Sequence, residues 1–303
     1  MEEMEKMEKT VGIIGLGQIG LPIAVNLMNS GFTVHGYRRG SMDEFAKAGG
    51  RPAASPRKVA ETCEYVITCL PDADAAEEVI DGASGLAKAG RNDLVVIELS
   101  TLKIKEKERL LAAMKAAGGM LLDCPLSGVP EMVRKRAAVI FASGEKAAYE
   151  RVQAVFEGMT DKAFYLGGFG VGSRMKFVAN LLVGVHILVT AEAMALGAKA
   201  GLSPELMVKV LSPSAASSLQ FQTRAPLMAE KKWEPALAPH TILFKDLVTI
   251  AEFADALGCP TPLLHTARDY FAKAIEEGLE SKDVASIYEV VSKECGLGWG
   301  TKR

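Results

Sequence analysis

The stretch VGIIGLGQIG, residues 11–20, decides the fold expected of this chain. The apolar run Val11–Ile14 predicts a buried strand, and three glycines follow it with the spacing G-x-G-x-x-G. In such a unit the first glycine permits a tight turn, the second lets the backbone approach a pyrophosphate, and the third lets helix and strand pack closely. The phosphates would lie at the positive end of a helix beginning near Gln18. The stretch therefore predicts a dinucleotide site formed by Gly15, Leu16, Gly17, Gln18, Ile19 and Gly20.

Short apolar runs alternate with helical patterns through the first half of the chain. The runs that predict strands are VGIIG, TVHGY, YVITCL, LVVIEL, MLLDC and AVIFA. Helical patterns lie between them at Leu21–Ser30, Asp43–Ala48, Ala73–Ile80, Lys105–Ala117 and Ala147–Glu157. This alternation is typical of βαβ units and a mostly parallel, doubly wound sheet. We therefore expect an α/β fold with an N-terminal Rossmann domain.

The second half shows helical periodicity and almost no strand pattern. The periodic segments are 173–200, 204–212, 240–257, 262–278 and 283–294. Ser203 followed by Pro204 predicts a helix start, with serine at the N-cap and proline at the first position. We expect a dinucleotide-binding domain over residues 1–169 and an all-helical domain for substrate binding and dimerisation over 170–303. A long interdomain helix would join them, with the substrate cleft near the junction.

The residues after the second predicted strand indicate which dinucleotide binds. NAD-binding units carry an acidic residue about 20 positions past the glycines, where it binds the ribose 2′-hydroxyl. Here the segment reads Tyr37-Arg38-Arg39-Gly40-Ser41 and contains no acid. Two guanidinium groups suit a 2′-phosphate, because arginine offers a planar, bidentate donor. Arg38 and Arg39 therefore favour NADP(H) over NAD(H); the alternative is that both are solvated loop charges.

Composition argues against other classes of partner. The formal net charge is −2 and no basic stripe occurs, so we expect no nucleic-acid partner. Five cysteines without a CxxC pair indicate free thiols in a reducing cytoplasm, and four scattered histidines predict no metal site.

The start, MEEMEKMEKT, lacks the apolar core of a signal peptide. The uncharged stretch Phe177–Ala191 is shorter than the roughly 20 residues that a membrane span needs. We therefore expect a cytoplasmic protein with no membrane partner.

Six motifs in order resemble those of the β-hydroxyacid dehydrogenase family, which includes 3-hydroxyisobutyrate dehydrogenase and tartronate semialdehyde reductase. They are GLGQIG, CLPD at 69–72, ELST at 98–101, DCPLSG at 123–128, GVGSRMKFVAN at 170–180 and FKDL at 244–247. The resemblance runs from Val11 to about Lys293. It implies an NAD(P)-dependent oxidoreductase that interconverts a small β-hydroxyacid and its semialdehyde or keto form. It also implies a C-terminal domain like that of 6-phosphogluconate dehydrogenase.

The resemblance implies that Lys176 is the catalytic acid/base. An ammonium there would donate a proton to the alkoxide that forms when a carbonyl is reduced, and desolvation would lower its pKa toward the working range. Asn180, four residues further along the predicted helix, would hold substrate or lysine on the same face. The alternatives are a lysine snorkelling at a helix start and an asparagine buried against the neighbouring domain.

Further roles follow from the same resemblance. Ser127 and Gly128 match the loop that binds the substrate carboxylate, where a hydroxyl and backbone N–H groups hold an anion. Thr101 and the pair Leu70-Pro71 match residues that line the cofactor. Lys245 matches a lysine that reaches substrate and cofactor from the helical domain; its alternative is a helix-surface charge paired with an acid. The apolar helix after Lys176 indicates a homodimer or homotetramer.

The chain also departs from the family pattern. The usual run of glycines after Ser127-Gly128 is replaced by bulkier residues from Val129 to Ala138, which gives a stiffer loop. Ala179 stands where the family has a first asparagine, and Ile104 where it has a proline. Substrate recognition is therefore expected to differ more than chemistry.

Two other functions are compatible with this architecture. Imine reductases share it but commonly carry Asp or Tyr at the position of Lys176, which favours a carbonyl substrate here. A non-catalytic dinucleotide-binding module needs neither Lys176 nor Asn180, so the presence of both favours an enzyme.

Overall fold

A computed structural model describes residues 9–298 of the 303-residue chain. The described residues divide into two compact units, the first ending at Lys176 and the second beginning at Phe177. The predicted domain boundary, between residues 169 and 170, falls just before the helix in which the two units divide. The prediction that the chain carries no signal peptide concerns a start that lies mostly outside the described residues.

The first unit is built on a six-stranded, wholly parallel sheet. Its strands are β1 (Thr10–Ile14), β2 (Thr33–Tyr37), β3 (Arg51–Pro52), β4 (Tyr65–Thr68), β5 (Val95–Glu98) and β6 (Met120–Asp123), in the spatial order β3-β2-β1-β4-β5-β6. Apolar side chains of β1, β4 and β5 are fully buried on both faces, as expected of a parallel sheet covered by helices. This order is that of a dinucleotide-binding doubly wound fold, so the predicted α/β class is confirmed.

A second, three-stranded sheet completes this unit. It consists of β7 (Leu126–Ser127), β8 (Val139–Ala142) and β9 (Lys162–Tyr165) in that spatial order, with β7 antiparallel and β9 parallel to β8. The run AVIFA, expected to extend the main sheet, forms β8 instead. An apolar run predicts a buried strand but not the sheet to which that strand belongs.

Short helices cover the sheets of the first unit. They are α1 (Gly20–Asn29), α2 (Asp43–Lys47), α3 (Pro56–Thr62), α4 (Ala73–Asp81), α5 (Ile104–Ala116), α6 (Pro130–Arg134), α7 (Lys146–Arg151) and α8 (Gln153–Met159). The predicted helix Ala147–Glu157 is thus two helices that meet at Val152, while α3 and α6 were not predicted. A 3₁₀ turn lies at Leu86–Ala89.

The second unit contains helices and, within the described residues, no strand pairing beyond an isolated bridge between Pro239 and Asp283. Helix α9 (Val171–Lys199) begins in the first unit and continues into the second. It is followed by α10 (Pro204–Leu211), α11 (Leu219–Glu230), α12 (His240–Ala256), α13 (Pro262–Glu276), a 3₁₀ turn at Val284–Ser286 and α14 (Ile287–Glu294). Ser203 accepts from the Leu206 amide, which confirms the predicted cap.

Among the helices of residues 9–298, α9 has the length and apolar composition of a membrane span. Its most apolar 18-residue stretch has a mean hydropathy of 1.8, and 44% of that stretch is buried inside the protein. Core helices of soluble proteins meet the same criterion, so this property carries little weight.

Candidate functional site

The glycine turn after β1 is constrained by close backbone contacts. Gly15 has a φ of +95°, and a Cβ there would lie 2.0 Å from the carbonyl oxygen of Cys69. A Cβ on Gly20 would lie 1.9 Å from the carbonyl oxygen of Gly15. Both positions exclude any larger residue, so the turn between β1 and α1 depends on them. A Cβ on Gly17, by contrast, would meet nothing within 4 Å, which leaves open space beside its backbone.

The start of α1 has the properties of a phosphate site. This ten-residue helix begins at Gly20, its N-cap Ile19 makes no side-chain cap, and its first turn carries no acid. The first N–H groups of a helix need external acceptors and carry partial positive charge. Together with the open space at Gly17, this end of α1 fits the pyrophosphate of a dinucleotide.

A cavity of about 520 Å³ opens beside this turn. Seven of the predicted cofactor residues line it, namely Gly15, Leu16, Gly17, Arg38, Arg39, Leu70 and Pro71. Gln18 lines an adjacent groove on the other side of the turn instead. Ile19 and Gly20 belong to the turn and helix start, and Thr101 follows β5; these three do not line the cavity. The first unit thus gathers most of the predicted cofactor residues.

The two arginines after β2 stand in different situations. Arg38 donates from Nη1 to the carbonyl oxygen of Leu16 at 3.0 Å, which ties the end of β2 to the glycine turn. Both side chains are exposed and line the cavity. Among the described residues that line the cavity, Glu78 alone is acidic. The predicted 2′-phosphate site therefore has two guanidinium groups, one of which also braces the turn.

The part of the cavity wall formed by Leu70 and Pro71 is held by Ser100, a residue that sequence reasoning missed. Its hydroxyl accepts from the Leu70 amide at 2.9 Å, and its own amide donates to Oε1 of Glu98 at 2.8 Å. Cys69 precedes this segment; burial, with a smaller contribution from the charge of Glu98, raises the pKa of its thiol to about 12. Cys69 therefore stays a neutral wall residue. Ser100 lies within the motif ELST, so that motif was the sequence signal that could have identified it.

The predicted carboxylate loop begins in β7 and continues into a helix. Ser127 pairs with Val139, and Gly128 packs so closely that a Cβ there would lie 2.9 Å from the Cβ of Ala138. The bulkier residues that follow form α6, which starts with proline at its first position. The departure from the family pattern thus replaces a pliant glycine loop with a short helix.

Lys176 and Asn180 lie one turn apart on α9, as the spacing predicted. Both are buried, with 8% and 5% of their surface exposed. Burial of an ammonium group costs several kcal/mol unless partners compensate, so a buried lysine is a candidate for function.

Asn180 belongs to a polar cluster within the second unit. It donates from Nδ2 to Oδ2 of Asp246 at 2.7 Å, and Asp246 Oδ1 lies 3.3 Å from the ammonium of Lys245. Asp246 is buried, whereas the Lys245 side chain is 39% exposed. Lys245 is thus paired with an acid, the alternative raised for it, and Asp246 was missed. The motif FKDL contained Asp246, but nothing local showed that it meets Asn180.

No group of three His, Cys, Asp or Glu side chains within residues 9–298 is arranged to hold a metal ion. The five cysteines are free thiols.

Two family models match the chain consecutively. Residues 10–167 match the NAD binding domain of 6-phosphogluconate dehydrogenase. Residues 170–291 match the NAD-binding domain of NADP-dependent 3-hydroxyisobutyrate dehydrogenase.

Two named dehydrogenases and one solved structure resemble the chain over nearly its full length. It is 33% identical over 287 residues to L-threonate dehydrogenase of Cupriavidus necator, covering 94% of this chain and 96% of that one. It is 30% identical over 292 residues to mitochondrial 3-hydroxyisobutyrate dehydrogenase of Mus musculus, covering 94% and 87%. The crystal structure of 3-hydroxyisobutyrate dehydrogenase from Salmonella typhimurium superposes with a TM-score of 0.86 at 28% identity, covering 93% and 100%.

Proposed function

The chain belongs to the β-hydroxyacid dehydrogenase family, and from this premise we propose that it interconverts a small hydroxy acid and its semialdehyde or keto form, with NADP(H) as preferred cofactor and Lys176 as general acid/base. The observation that carries the proposal is Lys176, a lysine with 8% exposure on the helix turn before Asn180. The general class, an NAD(P)-dependent dehydrogenase acting on CH–OH groups, follows from the family.

The residues of the first unit fit a dinucleotide. Gly17 leaves room for a pyrophosphate, the uncapped start of α1 offers donors to it, and the adjacent cavity has space for more of the cofactor. When bound, the nicotinamide cofactor supplies the hydride acceptor for oxidation and the hydride donor for reduction.

Lys176 would move the proton that accompanies this transfer. In oxidation its neutral amine takes the proton of the substrate hydroxyl, and in reduction its ammonium returns that proton to the developing alkoxide. In its protonated form Nζ also stabilises the negative charge on the reacting oxygen. Asn180, whose amide nitrogen is turned toward Asp246, would hold substrate through its carbonyl oxygen.

The preference for NADP(H) rests on Arg38 and Arg39. Both line the cavity at the end of β2, where an NAD-specific unit carries an acid. Charge-assisted bonds from guanidinium to a 2′-phosphate are stronger than neutral ones, and no comparable gain exists for a 2′-hydroxyl.

The proposed substrate carries a carboxylate beside its reacting hydroxyl. The relatives are named for L-threonate and 3-hydroxyisobutyrate, which are both hydroxy carboxylates. Ser127 and Gly128 would bind the carboxylate, with Lys245 contributing positive charge. Because α6 replaces the usual glycine loop, we expect the substituents on the substrate to differ from those of the relatives.

A substrate panel tests the proposal directly. NADP⁺ reduction is followed with short hydroxy acids, including L-threonate and 3-hydroxyisobutyrate, and NADPH oxidation with semialdehydes, keto acids and cyclic imines. Turnover of a hydroxy acid or its carbonyl form supports the proposal. Turnover of imines alone would identify an imine reductase, and cofactor binding without any turnover would identify a dinucleotide-binding module.

We also propose that the protein is a cytoplasmic homodimer or homotetramer. Val178, Leu182, Val189 and Leu196 are exposed at spacings of four and seven residues, which forms one apolar stripe along α9. A second copy of the chain would cover this stripe. Light scattering that gives a monomer for the purified protein would contradict the oligomer, and cell fractionation that places it outside the cytoplasm would contradict the location.

A further inference from the structure

The first turn of α9, just before Lys176, is held by side chains from elsewhere in the first unit. The hydroxyl of Ser143 accepts from the Gly172 amide at 2.9 Å. Oδ2 of Asp123 accepts from the Ser173 amide at 2.8 Å, and its Oδ1 accepts from the Ser173 hydroxyl at 2.8 Å. These are the second and third amides of the helix, which a local N-cap residue ordinarily satisfies. Here the cap comes from residues distant in sequence.

Asp123 is itself fixed by a buried ion-pair cluster. Lys107 Nζ lies 2.7 Å from Oδ1 of Asp123 and 2.7 Å from Oε2 of Glu98, the latter contact departing from hydrogen-bond geometry. Glu98 and Asp123 end neighbouring strands in register, and all three side chains are at most 1% exposed. Burial alone would lower the pKa of Lys107, but the two carboxylates outweigh it and raise that pKa, so the lysine stays charged.

This arrangement leaves the first turn of α9 little freedom to shift. A Cβ on Gly172 would lie 2.3 Å from the carbonyl oxygen of Phe141 and 2.7 Å from that of Asp123. The helix start is therefore packed directly on the ends of β6 and β8. The Ser143 hydroxyl also donates to the backbone oxygen of Asp123 at 3.0 Å, which joins the two capping residues.

We propose that Asp123, held by Lys107 and assisted by Ser143, is a positioning residue that fixes the helix turn carrying Lys176. The inference rests on the proposed role of Lys176 in proton transfer. Ser173, which Asp123 binds twice, lies three residues before Lys176, and Ser127 lies four residues after Asp123. The buried side chain of Asp123 thus links two segments. One is the strand end that leads to Ser127, and the other is the helix turn that leads to Lys176.

The test removes the capping groups while leaving the cofactor cavity intact. The double variant Ser143→Ala/Ser173→Ala deletes two hydroxyls, and Asp123→Asn deletes the charge. Each should lower kcat about 10- to 100-fold, because small misplacements of a reacting group are costly. Cofactor Kd should change less than about twofold. The primary isotope effect with 4-deuterated NADPH should rise toward its intrinsic value, which a merely structural loss of folded enzyme would not produce. Ser203→Ala, which removes the cap of α10, is the matched control and should keep kcat.

A double-mutant cycle with Lys176→Ala separates the two proposals. If the caps act through Lys176, the serine substitutions should lower kcat little further in the Lys176→Ala background. An unchanged kcat in the folded serine double variant would overturn the positioning role, as would an equal loss in both backgrounds. Should Asp123→Asn fail to fold, the serine variants decide the outcome. Wild-type kcat in Lys176→Ala would instead overturn the proposed role of Lys176 in proton transfer, on which this inference rests.

Discussion

Asn180 donates a 2.7 Å hydrogen bond to Asp246, a buried carboxylate 66 residues later in the chain. This bond turns the amide nitrogen of Asn180 toward Asp246 and so sets the direction of its carbonyl oxygen. Lys245 places its ammonium 3.3 Å from the other carboxylate oxygen. Asp246 therefore orients Asn180 and restrains Lys245, two residues that are proposed to contact the substrate.

Replacing Asp246 by alanine should disable this arrangement. Asn180 would lose its acceptor inside the protein, a change that costs about 1–3 kcal/mol of stability. We expect kcat/KM to fall by about 10-fold or more while the Kd for NADPH stays unchanged. Asp255→Ala is the control, since it removes an exposed carboxylate from the same helix. Full activity in a folded Asp246→Ala variant would show that Asn180 needs no such partner.

The parts of this fold that sequence patterns predicted are those encoded by neighbouring residues. The glycine turn, the apolar strands and the Ser203 cap each depend on residues within a few positions of one another. β3 is two exposed residues, Arg51 and Pro52, and carries no strand periodicity. α11 escaped prediction because it contains Pro226 in its interior and because its buried face includes the charged residue Arg224.

The residues of the candidate site likewise fall into those that local sequence predicted and those that only tertiary contacts revealed. The four-residue spacing of Lys176 and Asn180 placed them on one helix face, and the resemblance of their motif to the family indicated their roles. The contacts of Asp246 with Asn180 and of Asp123 with Ser173 span 66 and 50 residues. Such contacts depend on tertiary packing, which no local pattern encodes.

The two arginines after β2 should have separable effects on cofactor binding. Arg39→Ala should weaken NADPH about 10- to 100-fold and leave NADH unchanged, because it removes one charge-assisted bond of about 1.5–3 kcal/mol to the 2′-phosphate. Arg38→Ala should weaken both cofactors, since Arg38 also holds the carbonyl of Leu16.

Calorimetric titration of both cofactors measures these effects. Arg91→Ala removes the same charge away from the cavity, where Arg91 pairs with Asp93, and should bind both cofactors normally. Tighter binding of NADH than NADPH by the wild type, or equal losses for both cofactors in Arg39→Ala, would contradict the proposed preference.

Two glycines of the turn should fail for different reasons when replaced by alanine. Gly20→Ala would force a Cβ against the backbone of Gly15, so the first unit should be strongly destabilised. Gly17→Ala meets no protein atom within 4 Å and should fold with near wild-type Tm. Its methyl group would occupy the space proposed for the pyrophosphate, so affinity for both cofactors should fall at least 10-fold. Normal cofactor binding by Gly17→Ala would place the phosphates elsewhere.

His240 should make stability depend on pH. It is fully buried beside Ser286, and burial, partly opposed by Asp283, lowers its pKa to about 4 from an ordinary 6.5. Between these values the unfolded chain binds a proton that the folded chain does not, so stability is present above pH 6.5 and is lost as pH falls toward 4. The shift corresponds to about 3 kcal/mol. The free energy of unfolding in urea should differ less between pH 7 and pH 5 in His240→Gln than in wild type. An equal difference would show that His240 is not the source of the pH dependence.

Lys176→Ala should lower kcat by about 10²–10⁴-fold, the range for a positioned general acid. The Kd for NADPH should hardly change, because the cavity and glycine turn lie in other segments. Lys176→Arg should not restore activity, since guanidinium stays protonated and cannot act as a base. Asn180→Ala should cost less, because its amide orients groups without moving the proton.

Steady-state kinetics on an active hydroxy acid, with cofactor binding measured on the same variants, decides the role of Lys176. The alkaline or acidic limb of the kcat–pH profile that reports this lysine should disappear in Lys176→Ala. Lys199→Ala, at the far end of the same helix, is the matched control and should behave as wild type. Near wild-type kcat in Lys176→Ala would mean that the lysine is structural and that another group, such as Lys245 or a tyrosine, supplies the proton.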